Sequence, residues 1–287
     1  MKKVLEKAPL VHALIHLRFT DVPSLISLQP DLVNKLHLRM IDEGFNEKIP
    51  SRAEIIEMQF DAVTQQARQK KIAKERLLFR AAGEKEIVEI SESSLILKST
   101  AYSSFNEFYD KFHRILNGCQ EVIDGFDKTL LKSVGIRYVD VVVPSNGRTL
   151  SDFVNSEIQP PQLLNTGKHL RGHSLKAIEV AANQILIVNF EELPVHQGRV
   201  HKVLPDNLIE PDQNCGLIID GQQDWGNVTS ETYGILDIDH SYNFVGSPLF
   251  DSELVKESTE KLYKQASDIF WDVISHDAKD SWGYKEI

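Results

Sequence analysis

The chain has 287 residues, and its formal net charge at neutral pH is −10. Hydrophobic residues make up 41% of it and charged residues 26%, the composition of a globular protein with one large domain or two smaller ones. The acidic balance disfavours a general binder of nucleic acids or anionic membranes, because phosphate groups are bound by clustered positive charge.

The N-terminal part of the chain predicts one strand and one helical region. Residues 10–19 alternate between apolar and polar side chains, which predicts a half-buried strand. We expect its buried face to consist of Val11, Ala13, Ile15, Leu17 and Phe19. Residues 23–40 predict a helical region that breaks or kinks at Pro30.

Strand-like segments come next. Residues 55–63 and 76–82 have the composition of strands, and the polar run 64–75 joins them. Residues 86–99 then predict one long strand or two short ones. Hairpin signals of this kind are typical of antiparallel sheets.

Residues 105–117 form the clearest predicted helix. Apolar residues recur at helical spacing from Phe105 to Cys119, which indicates a single core-facing stripe. Ser104 is the expected N-cap, with Glu107 three residues later completing a capping box. Gly118 is the expected stop.

Residues 133–143 form the strongest strand prediction, because both faces of the strand are largely apolar. A strand buried on both faces belongs in the middle of a covered sheet. The break at residues 144–147 follows it, and we place a boundary there. The expected units are residues 1–146 and 147–287, which also fit one integrated domain.

The second half predicts fewer and longer connections. Residues 150–158 suggest a short helix, and residues 174–190 suggest a hairpin that turns near Ala182 and Asn183. Residues 191–214 are rich in Pro, His and Asp and predict an irregular connection. Two strands, 217–220 and 233–244, and a long amphipathic helix over 251–275 complete the chain.

One plan occurs twice in this order of elements. An apolar strand, a turn with a tyrosine and an amphipathic helix occur around Tyr102 and again around Tyr242. We therefore expect an α+β fold with mostly antiparallel sheets, packed helices and two related halves.

An acidic cluster is the most chemical-looking feature of the sequence. Asp237 and Asp239 lie two apart on one predicted strand, with Cβ atoms ~7 Å apart on the same face. A divalent cation can bridge such a pair, with Asp220 joining from a neighbouring strand. The alternatives are a solvated strand face or acids that pair with a buried arginine.

Arg137 is unusual because it lies inside the most apolar strand. It is either an anion or substrate clamp, or half of an internal salt bridge that fixes the strand register. Asp140 is expected on the opposite face and is not its natural partner. His12 and His16 share a strand face but lie ~13 Å apart, too far to chelate one metal ion, and we expect no cofactor.

Two further groups are candidate binding residues. The basic run that contains Arg68, Lys70, Lys71 and Lys74 either touches phosphates or an acidic partner, or lies on a solvated hairpin end or helix face. Trp271 and Trp282 are candidate anchors for a partner protein, with packing onto the chain's own core as the alternative.

The sequence lacks the common catalytic and targeting motifs. The sequence has no nucleophile elbow, no P-loop and no dinucleotide-binding glycine pattern. Cys119 and Cys215 form no CxxC pair, which fits a reducing compartment. No window approaches the roughly 20 apolar residues of a membrane span, and we expect a cytoplasmic protein.

A family resemblance is carried by three segments. They are Ala8-Pro9-Leu10-Val11 with Leu17-Arg18-Phe19, then Gly135-Ile136-Arg137-Tyr138-Val139-Asp140, and finally Ile269-Phe270 and Ile274 with Ser281-Trp282-Gly283. In their order and spacing the chain resembles a sporadically distributed, largely uncharacterised family of bacterial proteins. His12 and His16 stand where that family has acids, and Asp140 where it has asparagine. The resemblance implies no known activity, cofactor or site. The patchy distribution of the family is typical of mobile defence or toxin–antitoxin modules.

The sequence thus favours a cytoplasmic, non-catalytic protein that binds a partner protein or forms a homo-oligomer, without a membrane anchor. The alternative is a metal-dependent enzyme that acts on nucleotides or nucleic acid through Asp220, Asp237 and Asp239. A third hypothesis is nucleic-acid binding through the basic run.

Overall fold

A computed structural model describes residues 3–286, except 62–65, 146, 165–168 and 222. For residues 52–61, 66–74, 223 and 224 it describes the backbone and not the side chains.

The described chain contains strands and helices in an irregular order. The strands are β1 (Lys3–Leu5), β2 (Leu10–Phe19), β3 (Glu47–Asp61), β4 (Gln66–Arg80), β5 (Glu86–Ser91), β6 (Ser94–Ser99), β7 (Leu131–Val142), β8 (Gly172–Ala181), β9 (Gln184–Pro194), β10 (Thr232–Asn243) and β11 (Tyr284–Glu286). The helices are α1 (Pro23–Ile26), α2 (Pro30–Asp42), α3 (Phe105–Val122), α4 (Leu150–Phe153), α5 (Ser252–Val273) and α6 (His276–Ser281).

One antiparallel sheet of nine strands organises the fold, in the order β3-β4-β5-β6-β2-β7-β10-β9-β8. The expected α+β class with antiparallel pairing is confirmed. Strands from both sides of the expected boundary belong to this sheet, since β7 pairs with β2 and with β10. Residue 146, where that boundary was placed, lies outside the described residues.

The long helices cover one face of the sheet. The stripe of α3 is buried, as its spacing predicts, and Phe105 stacks on Tyr263 of α5 with ring centroids 4.0 Å apart. The Oγ of Ser104 accepts a hydrogen bond from the backbone N–H of Glu107 at 3.3 Å, which confirms the N-cap. This face and its helices form the largest apolar core of the protein.

Gly118 does not end α3, contrary to the prediction. The helix runs on to Val122, and Gly118 is buried against α2. A Cβ atom at Gly118 would lie 2.8 Å from Cγ of Arg39, closer than van der Waals contact allows. The glycine therefore permits close packing of two helices, a role that depends on a residue 79 positions away in the sequence.

Two strand predictions also need correction. The run 64–75 was expected to connect two strands, whereas β4 already begins at Gln66, so the β3–β4 hairpin is longer. Val11 was expected to share a face with Ala13, but a β-bulge between Leu10 and His12 turns Val11 to the other side of the sheet. A bulge adds one residue and so reverses the alternation beyond it.

The connection between β9 and β10, residues 195–231, crosses the sheet face opposite the helices, and we call it the strap. It packs on the apolar residues that β2, β7 and β10 present on that side. Residues 217–220 were predicted as a strand and are not one. Instead, the backbone N–H of Ile218 donates to the carbonyl of Glu84 at 2.8 Å, which fastens the strap beside β5.

Segments near the beginning and the end of the described chain pack together. Strands β1 and β11 form a two-stranded antiparallel sheet. Trp282, just before β11, is 8% exposed and packs edge-on against Phe153, with ring centroids 5.8 Å apart. None of the helices among the described residues is long and apolar enough to cross a membrane.

Candidate functional site

A cleft of about 750 Å³ lies between the sheet and the strap, and we call it the sheet cleft. Its floor comes from side chains of β2, β7 and β10, its wall from β4, β5 and β6, and its roof from residues 207–212 of the strap. The volume falls within the range of small-molecule sites, roughly 300–1,000 Å³.

His12 and His16 form part of the floor. They lie on β2, four residues apart, because the alternation that buries Ala13 and Ile15 under the helices turns them to the open face. Burial, with the nearby charges of Lys98 and Arg137, lowers the pKa of His12 to about 3. Burial, with Arg18 next, lowers the pKa of His16 to about 4, so both rings are neutral at pH 7.

The imidazole of His12 is incompletely satisfied. The residue is 4% exposed, and its Nδ1 has no hydrogen-bond partner among the residues that the structure describes. An unpaired polar atom that is buried costs about 1–3 kcal/mol, so native proteins keep few of them.

Arg137 also belongs to the floor, and it makes a bidentate ion pair. Its Nε and Nη2 donate to the two carboxylate oxygens of Asp237, both at 2.7 Å. Burial alone would lower the pKa of Arg137, but these bonds outweigh it and the pKa is raised. The salt-bridge interpretation of Arg137 thus matches the geometry, and Nη2 reaches one step further, to Asn207 of the strap at 3.0 Å.

The wall carries a second network of charges. Arg76 donates from Nη2 to Glu210 of the strap at 2.5 Å and lies 3.4 Å from Glu89. Lys98 donates to the same Glu89 at 2.9 Å. Two cations beside one carboxylate lower the pKa of Glu89 despite its burial. Arg76 and Arg137 therefore tie the roof to the sheet at two points.

The three aspartates of the acidic cluster have different surroundings. Asp237 and Asp239 do share a strand face, but Asp237 is held by Arg137. Asp220 pairs with Lys85, beside β5. Four inter-strand spacings separate β5 from β10, on the order of 19 Å, so Asp220 is not brought to the pair. Among the described residues, no three His, Cys, Asp or Glu side chains converge as metal ligands.

The remaining candidates are the basic run and the two tryptophans. The backbone of Arg68, Lys70, Lys71 and Lys74 belongs to β4, and their side chains fall outside the described part of the chain. Trp271 is half-buried, with Nζ of Lys3 at 5.4 Å from its ring centroid.

Sequence reasoning missed most of the cleft. Lys98, Glu89 and Glu210 come from separate segments that no local pattern links. His12 and His16 carried a usable signal, because two histidines on the polar face of an alternating strand indicate an environment other than plain solvent.

No family model matches the chain, and no curated protein matches it.

Proposed function

We propose that this protein is a non-catalytic binding protein whose ligand occupies the sheet cleft. The observation that carries the proposal is His12, a buried side chain in the floor of the cleft with an unpaired ring nitrogen. A ligand with a complementary polar group would satisfy the side chain that the fold leaves unsatisfied.

The construction of the cleft supports the same proposal. The floor lies on a rigid sheet, where side chains hold their positions better than on loops. The roof, by contrast, is an irregular segment held to the sheet by Arg76–Glu210 and Arg137–Asn207. Opening these contacts gives a ligand a way in without disturbing the strands.

Ligand-observed NMR with a library of small polar compounds tests this function. Leu14 lies between the two histidines on the floor, so Leu14→Trp fills the cleft. Compounds that bind the wild type are expected to lose binding to Leu14→Trp. They should keep it in Leu249→Trp, a matched change at a side chain that is 64% exposed and outside the cleft.

Two results would contradict the proposal. One is a library with no compound that binds the wild type. The other is a set of binders that Leu14→Trp leaves unaffected, since these would lie outside the cleft. Circular dichroism of both variants controls for folding.

We further propose that the protein forms a homo-oligomer through β8. This strand is the last of the sheet, and within the described residues it pairs with β9 alone. Leu170, Leu175 and Ile178, in or just before it, are 68%, 58% and 38% exposed. An unpaired strand edge with exposed apolar side chains is a template for pairing with a second copy.

Light scattering after gel filtration tests the oligomer. Leu175→Lys is expected to convert it to a monomer, because a charge then lies at the strand edge. Leu38→Lys, at a residue of α2 that is 66% exposed, is the matched control. A monomeric wild type, or an assembly that Leu175→Lys does not alter, would reject this interface.

The metal-dependent enzyme gains no support from these positions. Asp237 is neutralised by Arg137, and Asp220 lies several strands away. Calorimetric titration with Mg²⁺ or Mn²⁺ is therefore expected to show no saturable heat. A heat that disappears in Asp239→Asn would favour the enzyme.

Two related halves remain part of the proposal, supported by strand order. The strand order supports halves of residues 10–122 and 131–273, which assigns β7 to the second half and not, as in the expected division at residue 146, to the first. In each of these halves the first strand, β2 or β7, is central, and a meander from the sheet edge returns beside it before a long helix. An experimental structure in which residues 10–122 do not superpose on residues 131–273 would contradict the relationship.

We propose that the protein acts in the cytoplasm. Its two free, buried cysteines support this compartment, because thiols stay reduced there. The resemblance of the three sequence segments favours a mobile defence or toxin–antitoxin module as its setting. Fractionation of the native host, with the protein found in the periplasmic or secreted fraction, would contradict the compartment.

A further inference from the structure

We propose that the ligand of the sheet cleft is a small organic cation, bound through an ammonium or guanidinium group at Asp239. The inference rests on the proposed function, since it names the chemical class of the ligand. It draws on the charges of the cleft, the position of Asp239 and the unsatisfied His12.

Asp239 is a carboxylate in the floor of the cleft. It lies opposite Arg137 in the register of β7 and β10, but that guanidinium is bonded to Asp237 and Asn207. In the described part of the chain, no lysine or arginine forms an ion pair with Asp239. Burial raises the pKa of Asp239, and Arg137 counteracts the rise only in part. A cationic ligand would supply the missing partner.

The charge balance of the cleft disfavours anions. Among the residues whose side chains the structure describes, three lysines and arginines and four carboxylates line it. Each cation is already occupied, as Arg76 binds Glu210 and Lys98 binds Glu89. A phosphate or carboxylate ligand would have to break one of these pairs and add to the excess of negative charge.

The two histidines are compatible with a positively charged ligand. As neutral rings, His12 and His16 do not repel a cation, and each offers ring nitrogens for hydrogen bonding. The unpaired Nδ1 of His12, in a side chain 4% exposed, is an independent sign that the site lacks a polar group. When Nδ1 of His12 carries no proton it accepts a hydrogen bond, and the N–H groups of the ligand can donate that bond.

The apolar part of the lining suits an alkyl chain. Leu14 lies in the floor, Ile96 in the wall and Ile209 in the roof. The cleft is much larger than one ammonium group, so a chain of several carbon atoms can pack on these side chains while its charged end meets Asp239.

Three four-carbon probes of different charge test the inference. They are 1,4-diaminobutane (cationic), 1,4-butanediol (neutral) and succinate (anionic). The measurement is the saturable shift of the His12 and His16 ring C–H signals in the NMR spectrum of the intact protein, assigned with His12→Gln and His16→Gln. We expect the diamine to bind about tenfold or more tightly than either of the others, and its affinity to fall with added salt.

A substitution of Asp239 tests whether its carboxylate binds the cationic ligand. Asp239→Asn is expected to weaken diamine binding by about tenfold or more, because the carboxylate is removed and the shape is kept. Asp124→Asn, at an exposed loop residue after α3, should leave it unchanged. The comparison of the three probes on the wild type does not depend on the variant folding.

The outcomes separate the two proposals. Equal or tighter binding of butanediol or succinate would overturn the organic cation and leave the cleft as a binding site. Diamine binding that Asp239→Asn does not change would overturn it as well. If neither the probes nor the polar library bind in the cleft, the proposed function itself fails.

Discussion

Buried side chains that can carry charge are the main constraint at the scale of single residues. Asp140 is 3% exposed and faces the helices, on the opposite side of β7 from Arg137. Burial, with the charge of Asp237 next, raises the pKa of Asp140 to about 8. The carboxyl group is therefore mostly protonated at neutral pH in the folded protein.

This shift predicts a dependence of stability on pH. The unfolded chain releases the proton of Asp140 near pH 4, whereas the folded protein keeps it to about pH 8. The folded state thus binds more protons across this window, and its stability falls as pH rises from 4 to 8. The Asp140→Asn variant should lose less stability than wild type between pH 5 and pH 8, by roughly 2–4 kcal/mol at 1.36 kcal/mol per pKa unit.

Urea denaturation at the two pH values measures the difference. Asp124→Asn, at an exposed position, is the control and should follow the wild type. An Asp140→Asn variant whose stability declines in parallel with wild type would show that Asp140 is ionised in the fold.

At the scale of elements, the ion pair between Arg137 and Asp237 joins β7 to β10 beneath the strap. The side chain of Asp237 is buried, at 6% exposed, and that of Arg137 is largely buried, at 11%. Removing one partner of a buried pair leaves the other charge uncompensated, whereas replacing both by apolar groups restores a neutral interior.

A double-mutant cycle follows from this contact. Asp237→Leu alone and Arg137→Met alone are each expected to cost about 3–5 kcal/mol of stability, and the double variant that carries both clearly less. Chemical denaturation gives the free energy of unfolding for each variant. The exposed pair Lys85–Asp220 is the matched control, and Asp220→Asn should cost under about 1 kcal/mol. Additive effects of the two substitutions at 137 and 237 would contradict the coupling.

At the scale of the whole molecule, segments near both ends of the described chain pack together. The C-terminal segment returns to the N-terminus through β1 and β11, and Trp282 fills the space beside Phe153. Trp271, in contrast, stays half-buried. The two tryptophans that were candidate anchors therefore have different structural environments.

Their contributions to stability should differ accordingly. Trp282→Ala is expected to cost about 3–5 kcal/mol, the range for a buried aromatic side chain, and Trp271→Ala less. Urea denaturation of the two variants at one pH measures both. Equal losses of stability in the two variants, or a small loss in Trp282→Ala, would mean that Trp282 is not part of the core.

Local patterns were sufficient for much of the fold. The stripe of α3, the Ser104 cap and the doubly apolar strand β7 are each determined by residues close in sequence, through helical period, hydrogen-bond chemistry or burial. The β8–β9 hairpin is another case, since Asn183 takes the left-handed backbone conformation, with φ of 62°, that its turn requires.

Other features depended on residues far apart in sequence. The end of α3 was wrong because Gly118 packs against Arg39, and the face of Val11 was wrong because a bulge reversed the alternation. The partner of Arg137, Asp237, is 100 residues away. No local rule identifies which of several acids reaches a given arginine.

The sequence by itself therefore determined the class of fold, since hydrophobic period and capping act within a few residues. It also set the residue types of the floor, including His12 and His16. Only the tertiary structure decided that these side chains face a cleft rather than solvent, because the strap that covers them is irregular and has no period to predict its path. The cleft exists where a segment without a local pattern crosses a sheet whose pattern is clear.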